Sequence, residues 1–351
     1  MFVLGLLTTG AYWPWIWSPA MSPKFAALSC LAPGLLLWRA APFSFTKAHL
    51  FGCGLILWAA ATVLWSASPL YSLNALWLTT ILPAICFCLG SQTPQLRPLF
   101  LGAGVGLALS SAVSIGQLAG WIDWPTINIP SGLFLNKNYM AEAAAMVLIW
   151  LVAERVWWLV PLIIPAIALT DARGALLALG VGLLLSFWQR PSLLTGGLLA
   201  GTVGLFVHAM LTHGAATMVE RADIWTDATG GFGIFGNGIG SFGFDPHKWQ
   251  PDGLPQHAHN DALELVWDLG LVGLGLVVLF VRELFGPLNP ARLVLIVFAV
   301  EACFAFPSHL PATMALAALA AGHAVRGRIM VRRVVTHRRN FGNPGVAGAG
   351  L

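Results

Sequence analysis

Residues 98–120 read PLFLGAGVGLALSSAVSIGQLAG, an apolar run without a charged side chain. A helix needs roughly 20 mainly apolar residues to cross the hydrocarbon core of a bilayer, so this run is long enough to span one. The whole chain has the same character, because 58% of its 351 residues are hydrophobic and only 9% are charged. Soluble domains carry about 25% charged residues, which they need for their surface. The chain is therefore predicted to be an integral membrane protein.

Similar apolar runs recur on both sides of this one and predict an all-α, polytopic membrane protein with about twelve transmembrane helices. Residues 1–325 form a single transmembrane domain in this interpretation, and residues 326–351 form a basic tail. The first run has no positive n-region and is expected to be a retained helix. The predicted spans are approximately residues 2–17, 25–38, 48–65, 72–90, 98–120, 138–153, 155–170, 174–188, 192–211, 262–281, 293–307 and 311–325.

The orientation is predicted from the basic residues. If the tail is cytoplasmic and the spans alternate, most of the 18 Lys and Arg residues face the cytoplasm, as the positive-inside rule requires. Both termini are then cytoplasmic, and the pI near 9.0 reflects the tail and not nucleic-acid binding. The cytoplasmic set is Arg39, Lys47, Arg97, Arg155, Arg190, Arg282, Arg292, Arg326, Arg328, Arg332, Arg333, Arg338 and Arg339, and the outer set is Lys24, Lys137, Arg173, Arg221 and Lys248.

This orientation places the polar clusters on the outer side of the membrane. They are the stretch 121–137, the short connection Asp171-Ala172-Arg173, and a large loop at about residues 212–261. A connection of that length is much longer than usual and is often functional. The protein is therefore expected to work at its extracytoplasmic face.

The densest polar cluster is residues 256–261, QHAHND, directly before an apolar run. Asp261 with Glu264 three residues later has the spacing of a helix start. His259 would precede that helix, whose positive end favours a neutral imidazole able to act as a general base, worth about 10²–10⁴ in rate. The alternative is a histidine pair that only hydrogen-bonds the loop. We take His259 as the candidate base, with supporting residues His257, Asn260, Asp261 and Asn138.

The same histidines raise the possibility of a zinc site completed by His247, Asp245 or Asp261. The loop has no His-Glu-x-x-His pattern and no cysteine. The chain's five cysteines all lie in apolar runs, where a thiol behaves as a small hydrophobe. The expectation is therefore no metal and no other cofactor, with a metal-dependent site kept as an alternative.

Two arginines on the outer side are candidate phosphate ligands. A guanidinium suits a phosphate because its planar fork donates two parallel hydrogen bonds. Arg173 lies between two predicted helices, and Arg221 lies between Glu220 and Asp223. Each could equally pair with a neighbouring acid, and this alternative stays open.

Two further features of the sequence bear on the site. The run 231–243, GFGIFGNGIGSFG, lacks the βαβ context of a dinucleotide loop, so its glycines are expected to let the backbone turn tightly. Asn138 opens a helix whose second turn carries Glu142, and Glu301 lies inside a late span. Intramembrane acids usually face a cavity or a partner, and a purely structural pairing is the other interpretation.

Four short segments occur in order: LNKNYMA (135–141), DARGA (171–175), the stretch Arg221 to Trp225 with GIGSF (238–242), and HAHND (257–261). This series resembles the O-antigen ligase and O-antigen polymerase superfamily of bacterial membrane glycosyltransferases. The most specific similarity is His259-Asn260, nine further residues and then Gly270, which resembles the ligase signature. A departure is Ala172, where the family more often has serine before the arginine.

The resemblance implies an inner-membrane enzyme with a large periplasmic loop that transfers glycan from undecaprenyl diphosphate to an acceptor hydroxyl. It implies an inverting, metal-independent reaction, with His259 as the catalytic base and Arg173 and Arg221 as ligands of the donor diphosphate. The partners implied are the lipid-linked glycan, lipid A-core or another glycan acceptor, and membrane lipids. The alternatives are a polysaccharide polymerase, a lipid-linked glycan transporter and a metal-dependent membrane hydrolase.

Overall fold

The computed structural model describes residues 1–15, 18–39, 44–213, 216–244 and 257–341. Within these ranges every regular element is helical, as the sequence predicted. The α-helices are α1 (Phe2–Gly10), α2 (Met21–Arg39), α3 (Lys47–Thr62), α4 (Pro69–Ala75), α5 (Leu82–Gln92), α6 (Arg97–Leu118), α7 (Lys137–Ala153), α8 (Val160–Ile163), α9 (Pro165–Ala168), α10 (Arg173–Gln189), α11 (Leu193–His213), α12 (Ala216–Thr229), α13 (Asp261–Arg282), α14 (Pro290–Ala302) and α15 (Pro311–Phe341).

Six helical segments in the described ranges are long and apolar enough to cross a membrane. One of them joins α4 and α5 through a π-helical stretch, Leu76–Ile81. The protein is thus membrane-embedded by length and composition. The six are Met21–Trp38, Lys47–Trp65, Pro69–Gln92, Arg97–Leu118, Leu193–Thr212 and Asp261–Arg282.

Several of the remaining predicted spans differ from the helices observed. The predicted span 155–170 contains only α8 and α9, each four residues long, because Pro161 and Pro165 lack the backbone N–H that a continuous helix needs. Within the predicted span 2–17 the helix ends at Gly10, and the backbone of Ala11 after it is extended. Lys24, expected in a connection, lies in the first turn of α2, where it is buried and donates to the carbonyls of Ala11 and Leu133.

The large loop predicted at about 212–261 is partly helical. It contains α12, which carries Arg221 and Trp225, and a glycine-rich turn region that follows it. Residues 245–256, including Asp245 and His247 of the alternative zinc set, lie outside the described residues. The last predicted span, 311–325, is the first part of α15, which extends into the basic tail as far as Phe341.

Helix α7 is the centre of the molecule. Every residue from Met140 to Val152 is buried, as expected of a helix that is apolar on all sides. Helices α6, α10 and α14 pack around it. In contrast, only 17% of the apolar stretch of α2 and of α11 is buried, and such apolar outer surfaces suit contact with lipid.

Close helix contacts depend on small residues. A Cβ on Gly5 of α1 or on Gly102 of α6 would collide with the backbone of the facing helix. Gly90 of α5 and Gly322 of α15 make the same kind of contact. Small residues let helix backbones approach closely. Helices in lipid associate through such packing, because the lipid tails are as apolar as the helix surfaces and hydrophobic burial gives no driving force between helices.

Helix α13 is broken at Gly270, whose backbone is left-handed with φ 68°. The break frees the carbonyls of Trp267 and Asp268, which accept hydrogen bonds of 2.9 and 3.0 Å from the N–H groups of Asn237 and Gly238. The glycine-rich turn is therefore inserted into the break. This agrees with the predicted tight turning of its glycines, and it joins the turn region to the helix that begins at the polar cluster.

Candidate functional site

The polar cluster lies at the N-terminus of α13, as predicted. The helix begins at Asp261, and the residue that caps it is Asn260, whose Oδ1 accepts hydrogen bonds of 3.1 Å from the N–H groups of Ala262 and Leu263. An asparagine cap of this kind is worth about 1 kcal/mol. His259 precedes the cap in a left-handed conformation, with φ 52°. Non-glycine residues adopt this conformation rarely, so the surroundings must hold it.

Glu264, one turn into α13, folds back onto the residues before the helix. Its Oε2 accepts a 2.9 Å hydrogen bond from the N–H of Ala258, and its Oε1 lies 2.9 Å from Nδ1 of His257. Because a carboxylate only accepts, that nitrogen of His257 carries the proton. Nε2 of His309 lies 3.2 Å from the same Oε1. Glu264 is 3% exposed, and these contacts compensate the burial of its charge.

The connection between α14 and α15, residues 303–310, forms the other wall of the site. Asn260 donates its side-chain amide to the carbonyl of Cys303 at 3.3 Å, and the N–H of Ser308 donates to Asp261 at 3.0 Å. Sequence reasoning missed this connection. The sequence did contain an indication of it. Ser308 and His309 are polar residues between two prolines, and the predicted topology places them on the outer side with the other polar clusters.

Phe306 lies at the centre of this wall. Its ring stacks on His257, with centroids 4.3 Å apart, and meets the ring of His259 at 5.1 Å in a T-shaped arrangement. Tyr139 of α7 approaches it from another side at 5.6 Å. Offset and edge-to-face aromatic pairs are favourable by about 0.5–1.5 kcal/mol each. Phe306 therefore orients both histidines of the HAH motif at once.

Arg221 is brought to the same wall by α12. Its Nη1 donates a 2.8 Å hydrogen bond to the carbonyl of Phe304. One turn further along α12, Nε1 of Trp225 donates at 2.8 Å to the carbonyl of Ala258. Helix α12 thus contacts both the 303–310 connection and the residue before His259. Arg221 and His259 therefore contact the same connection, Arg221 at Phe304 and His259 at Phe306.

Arg173 is the first residue of α10, and Asp171 before it has a left-handed backbone with φ 52°. The neighbouring Gly174 packs against Phe304, since a Cβ placed on it would lie 3.7 Å from that side chain. The carbonyl of Phe304 is the acceptor for Arg221. The side chain of Arg221 and the backbone beside Arg173 are therefore both next to Phe304.

The histidines of the site differ in electrostatic environment. Burial first, and then the charges of Arg221 and His257, lower the pKa of His259 to about 4 against an opposing effect of Glu264. Burial also lowers the pKa of His309 to about 4. For His257 burial is likewise the largest single effect, but the charge and hydrogen bond of Glu264, with the charges of Asp261 and Asp268, outweigh it and raise the pKa. His259 is thus neutral near pH 7, as predicted, although burial and Arg221 cause this.

The remaining predicted supporting residue, Asn138, lies in the first turn of α7, where its N–H donates to the capping side chain of Asn136 at 2.9 Å. Tyr139 next to it reaches Phe306, and Glu142 one turn later interacts electrostatically with Asp261 and Arg221. The start of α7 thus borders the site. The hydrogen bond of Asn138 belongs to the helix cap and not to the site itself.

A third carboxylate on α13 organises the glycine-rich turn. Asp268 accepts hydrogen bonds from the N–H of Gly240 at 2.7 Å and of Phe242 at 3.1 Å. The Ser241 hydroxyl lies 3.3 Å from the same carboxylate. These bonds are internal to the fold, and Ser241 is buried. The turn region therefore stabilises α13, the helix that begins at the site.

A metal ion could be held by a set that keeps His257 from the alternative zinc set and has Glu264 and His309 in place of His259. Nitrogens of His257 and His309 and an oxygen of Glu264 lie within 4.8 Å of one another. Asp261 Oδ1, 3.8 Å from Nε2 of His309, is buried without a hydrogen-bond partner among the described residues. In the observed arrangement the carboxylate of Glu264 instead accepts from protein groups. His259 is not part of this group.

Comparison with protein-family models and with curated proteins finds no match for this chain.

Proposed function

We propose that the chain is a membrane glycosyltransferase of the O-antigen ligase type. It moves a glycan from undecaprenyl diphosphate to an acceptor hydroxyl, with lipid A-core as the acceptor. The observation that supports this most strongly is that a half-buried imidazole, His259, and a guanidinium, Arg221, both contact the Phe304–Phe306 segment. A base and a cation at one point are what glycosyl transfer from a diphosphate requires.

In the proposed reaction His259 takes the proton of the acceptor hydroxyl. The hydroxyl oxygen attacks the anomeric carbon of the donor sugar as the bond from that carbon to the diphosphate oxygen breaks. The electron pair of that bond leaves with undecaprenyl diphosphate, and a single in-line displacement inverts the anomeric centre. Arg221 and Arg173 neutralise the charge of the leaving diphosphate, a task that a guanidinium fork performs by paired hydrogen bonds. No metal is needed for this step.

The proposed setting is the periplasmic face of a bacterial inner membrane. A multi-pass chain of about twelve spans with both termini in the cytoplasm places residues 212–261 in the periplasm. This assignment rests on the charge distribution. The 303–310 connection then lies on the same side, between the last two spans, which agrees with its contacts to Asn260 and Asp261.

Two other functions use parts of the same site. A polysaccharide polymerase would run the same chemistry with a second lipid-linked glycan as acceptor. A metal-dependent membrane hydrolase is favoured by one observation, the proximity of His257, Glu264 and His309. Its reaction would stop when the metal is chelated, whereas the proposed transfer would not.

The deciding experiment is glycan transfer by the purified protein from undecaprenyl-diphosphate glycan to lipid A-core. We expect transfer in the presence of EDTA and a loss of about 10²–10⁴ in rate for His259→Ala. Glu154→Ala, an exposed position at the other end of α7, is the control and retains the wild-type rate. Absence of transfer by wild type with verified donor and acceptor would exclude lipid A-core, and the same variants would then be assayed for polymerisation.

A further inference from the structure

Hydrogen bonds fix the residues on both sides of His259, Ala258 and Asn260. On one side the N–H of Ala258 donates to Glu264 at 2.9 Å, and its carbonyl accepts from Trp225 at 2.8 Å. On the other side Asn260 caps α13 and donates to the carbonyl of Cys303. These bonds come from three different elements. A left-handed non-glycine residue costs about 1–3 kcal/mol and persists only when its surroundings determine it.

Glu264 has the central place among these contacts. It is buried, its carboxylate accepts hydrogen bonds from the N–H of Ala258 and from the ring of His257, and its Oε1 lies 3.2 Å from Nε2 of His309. The ring of His257 is in turn stacked on Phe306, at 4.3 Å, and lies 4.4 Å from the ring of His309. One carboxylate therefore links α13, the residues before His259 and the 303–310 connection.

His309 is itself fixed in position. It ends a single helical turn, Pro307–His309, whose first carbonyl accepts a hydrogen bond from the hydroxyl of Thr313. The N–H of Ser308 is bound by Asp261. His309 therefore presents its Nε2 to Glu264 from a connection that hydrogen bonds hold to α13 and α15.

We propose that Glu264 and His309 are positioning residues for His259: His309 holds the carboxylate of Glu264, and Glu264 holds the backbone and ring that precede the base. The inference rests on the proposed function for its catalytic meaning. Neither residue touches the reacting atoms. Displacing a catalytic group by about 1 Å costs about 10²-fold in rate, which sets the expected size of the effect.

The test uses substitutions that keep size and remove single contacts. Glu264→Gln replaces one carboxylate oxygen by an NH₂ group. The two oxygens of Glu264 accept from Ala258 and from His257, and the NH₂ group of glutamine cannot replace the lost acceptor. His309→Leu removes the polar contact, whereas His309→Gln restores an N–H donor. We expect kcat to fall about 10²-fold in the first two variants, with KM for donor and binding of undecaprenyl diphosphate changed less than about threefold. His309→Gln should recover most of the rate, and Glu154→Gln is the matched control.

A second measurement does not depend on activity. The rate of carbethoxylation of His259 by diethyl pyrocarbonate, read by mass spectrometry at one pH, reports how tightly the ring is held. We expect a several-fold increase in Glu264→Gln and His309→Leu but not in His309→Gln. If wild type transfers no glycan, the proposed function fails while this measurement still tests the positioning. If Glu264→Gln does not fold, the two His309 variants decide.

Two results would overturn the proposal. The first is wild-type kcat together with unchanged His259 reactivity in folded His309→Leu. The second is one equivalent of zinc in the purified wild type that is lost in His309→Leu, because Glu264 would then be a metal ligand and not a shared hydrogen-bond acceptor.

Discussion

At the scale of single residues, His257 and His259 are two positions apart and have different chemical characters. The ring of His257 is bound by Glu264, whereas His259 is half-buried near the positive charge of Arg221. Environments that push the pKa values of neighbouring groups apart assign them different roles. The low pKa of His259 leaves its ring neutral, and therefore able to accept a proton, at ordinary pH.

Removing the charge of Arg221 should raise the pKa of His259. In wild type the pKa is lowered to about 4, so the ring is neutral above that pH. Arg221→Gln removes one cause of the lowering, so the midpoint moves upward toward the ordinary value of 6.5. The pH dependence of His259 carbethoxylation measures this midpoint directly. Arg190→Gln, an exposed charge at the far end of α10, should leave it unchanged, and an unmoved midpoint in Arg221→Gln would contradict the assignment.

At the scale of elements, the break in α13 is what joins the polar cluster to the glycine-rich turn. A continuous helix would use the carbonyls of Trp267 and Asp268 internally, and Asn237 and Gly238 would lose their acceptors. Irregular backbone is tolerated at membrane depth only where protein buries it or a cavity hydrates it. The turn supplies that burial.

Gly270→Ala is expected to destabilise the protein by about 1–3 kcal/mol, because φ at this position is 68° and the new Cβ would collide with the carbonyl oxygen of Ile234. Gly275→Ala is the matched control in the same helix, where an added Cβ meets nothing within 4 Å. It should be neutral or stabilising by up to about 1 kcal/mol, since alanine is the better helix former. Thermal unfolding in detergent measures both. Equal unfolding temperatures for the two variants would show that the break is not under strain.

At the scale of the whole molecule, the arrangement places the Phe306 wall, α12 and the start of α7 at one end of the helices. The positive-inside rule predicts that this end faces the outside of the membrane. The basic connections and the start of the tail lie at the opposite end, where Arg326 donates to the carbonyl of Gln92. The proposed periplasmic reaction requires that the site and the basic connections lie at opposite ends of the molecule.

The orientation predicts opposite labelling of two exposed positions. With the native cysteines replaced by alanine, Asp123→Cys should react with a membrane-impermeant maleimide in intact spheroplasts. Gln95→Cys should react only after permeabilisation, because it lies in a connection predicted to be cytoplasmic. The reverse pattern would invert the topology and exclude a periplasmic site. The cysteines replaced are Cys30, Cys53, Cys86, Cys88 and Cys303.

The sequence alone was sufficient for features that depend on composition and short-range pattern. The membrane character follows from the apolar content, and the start of α13 at Asp261 follows from the polar cluster before an apolar run. The neutral state of His259 was also predicted, although from the helix end and not from burial and Arg221, which cause it. Predicted helix ends failed where prolines interrupt the apolar run 155–170.

Only the tertiary structure brought distant residues together. Hydropathy records how apolar a segment is but not which segments pack side by side, so it could not join His309 to Glu264 or Phe306 to His259. The same holds for the break at Gly270, since a glycine in an apolar run fits a helix until a second segment supplies hydrogen-bond partners. The sequence determined that this protein belongs in a membrane and where its polar chemistry is concentrated. Packing decided which polar groups meet, because hydrogen bonds and ring contacts act over a few ångströms and depend on the folded arrangement of the helices.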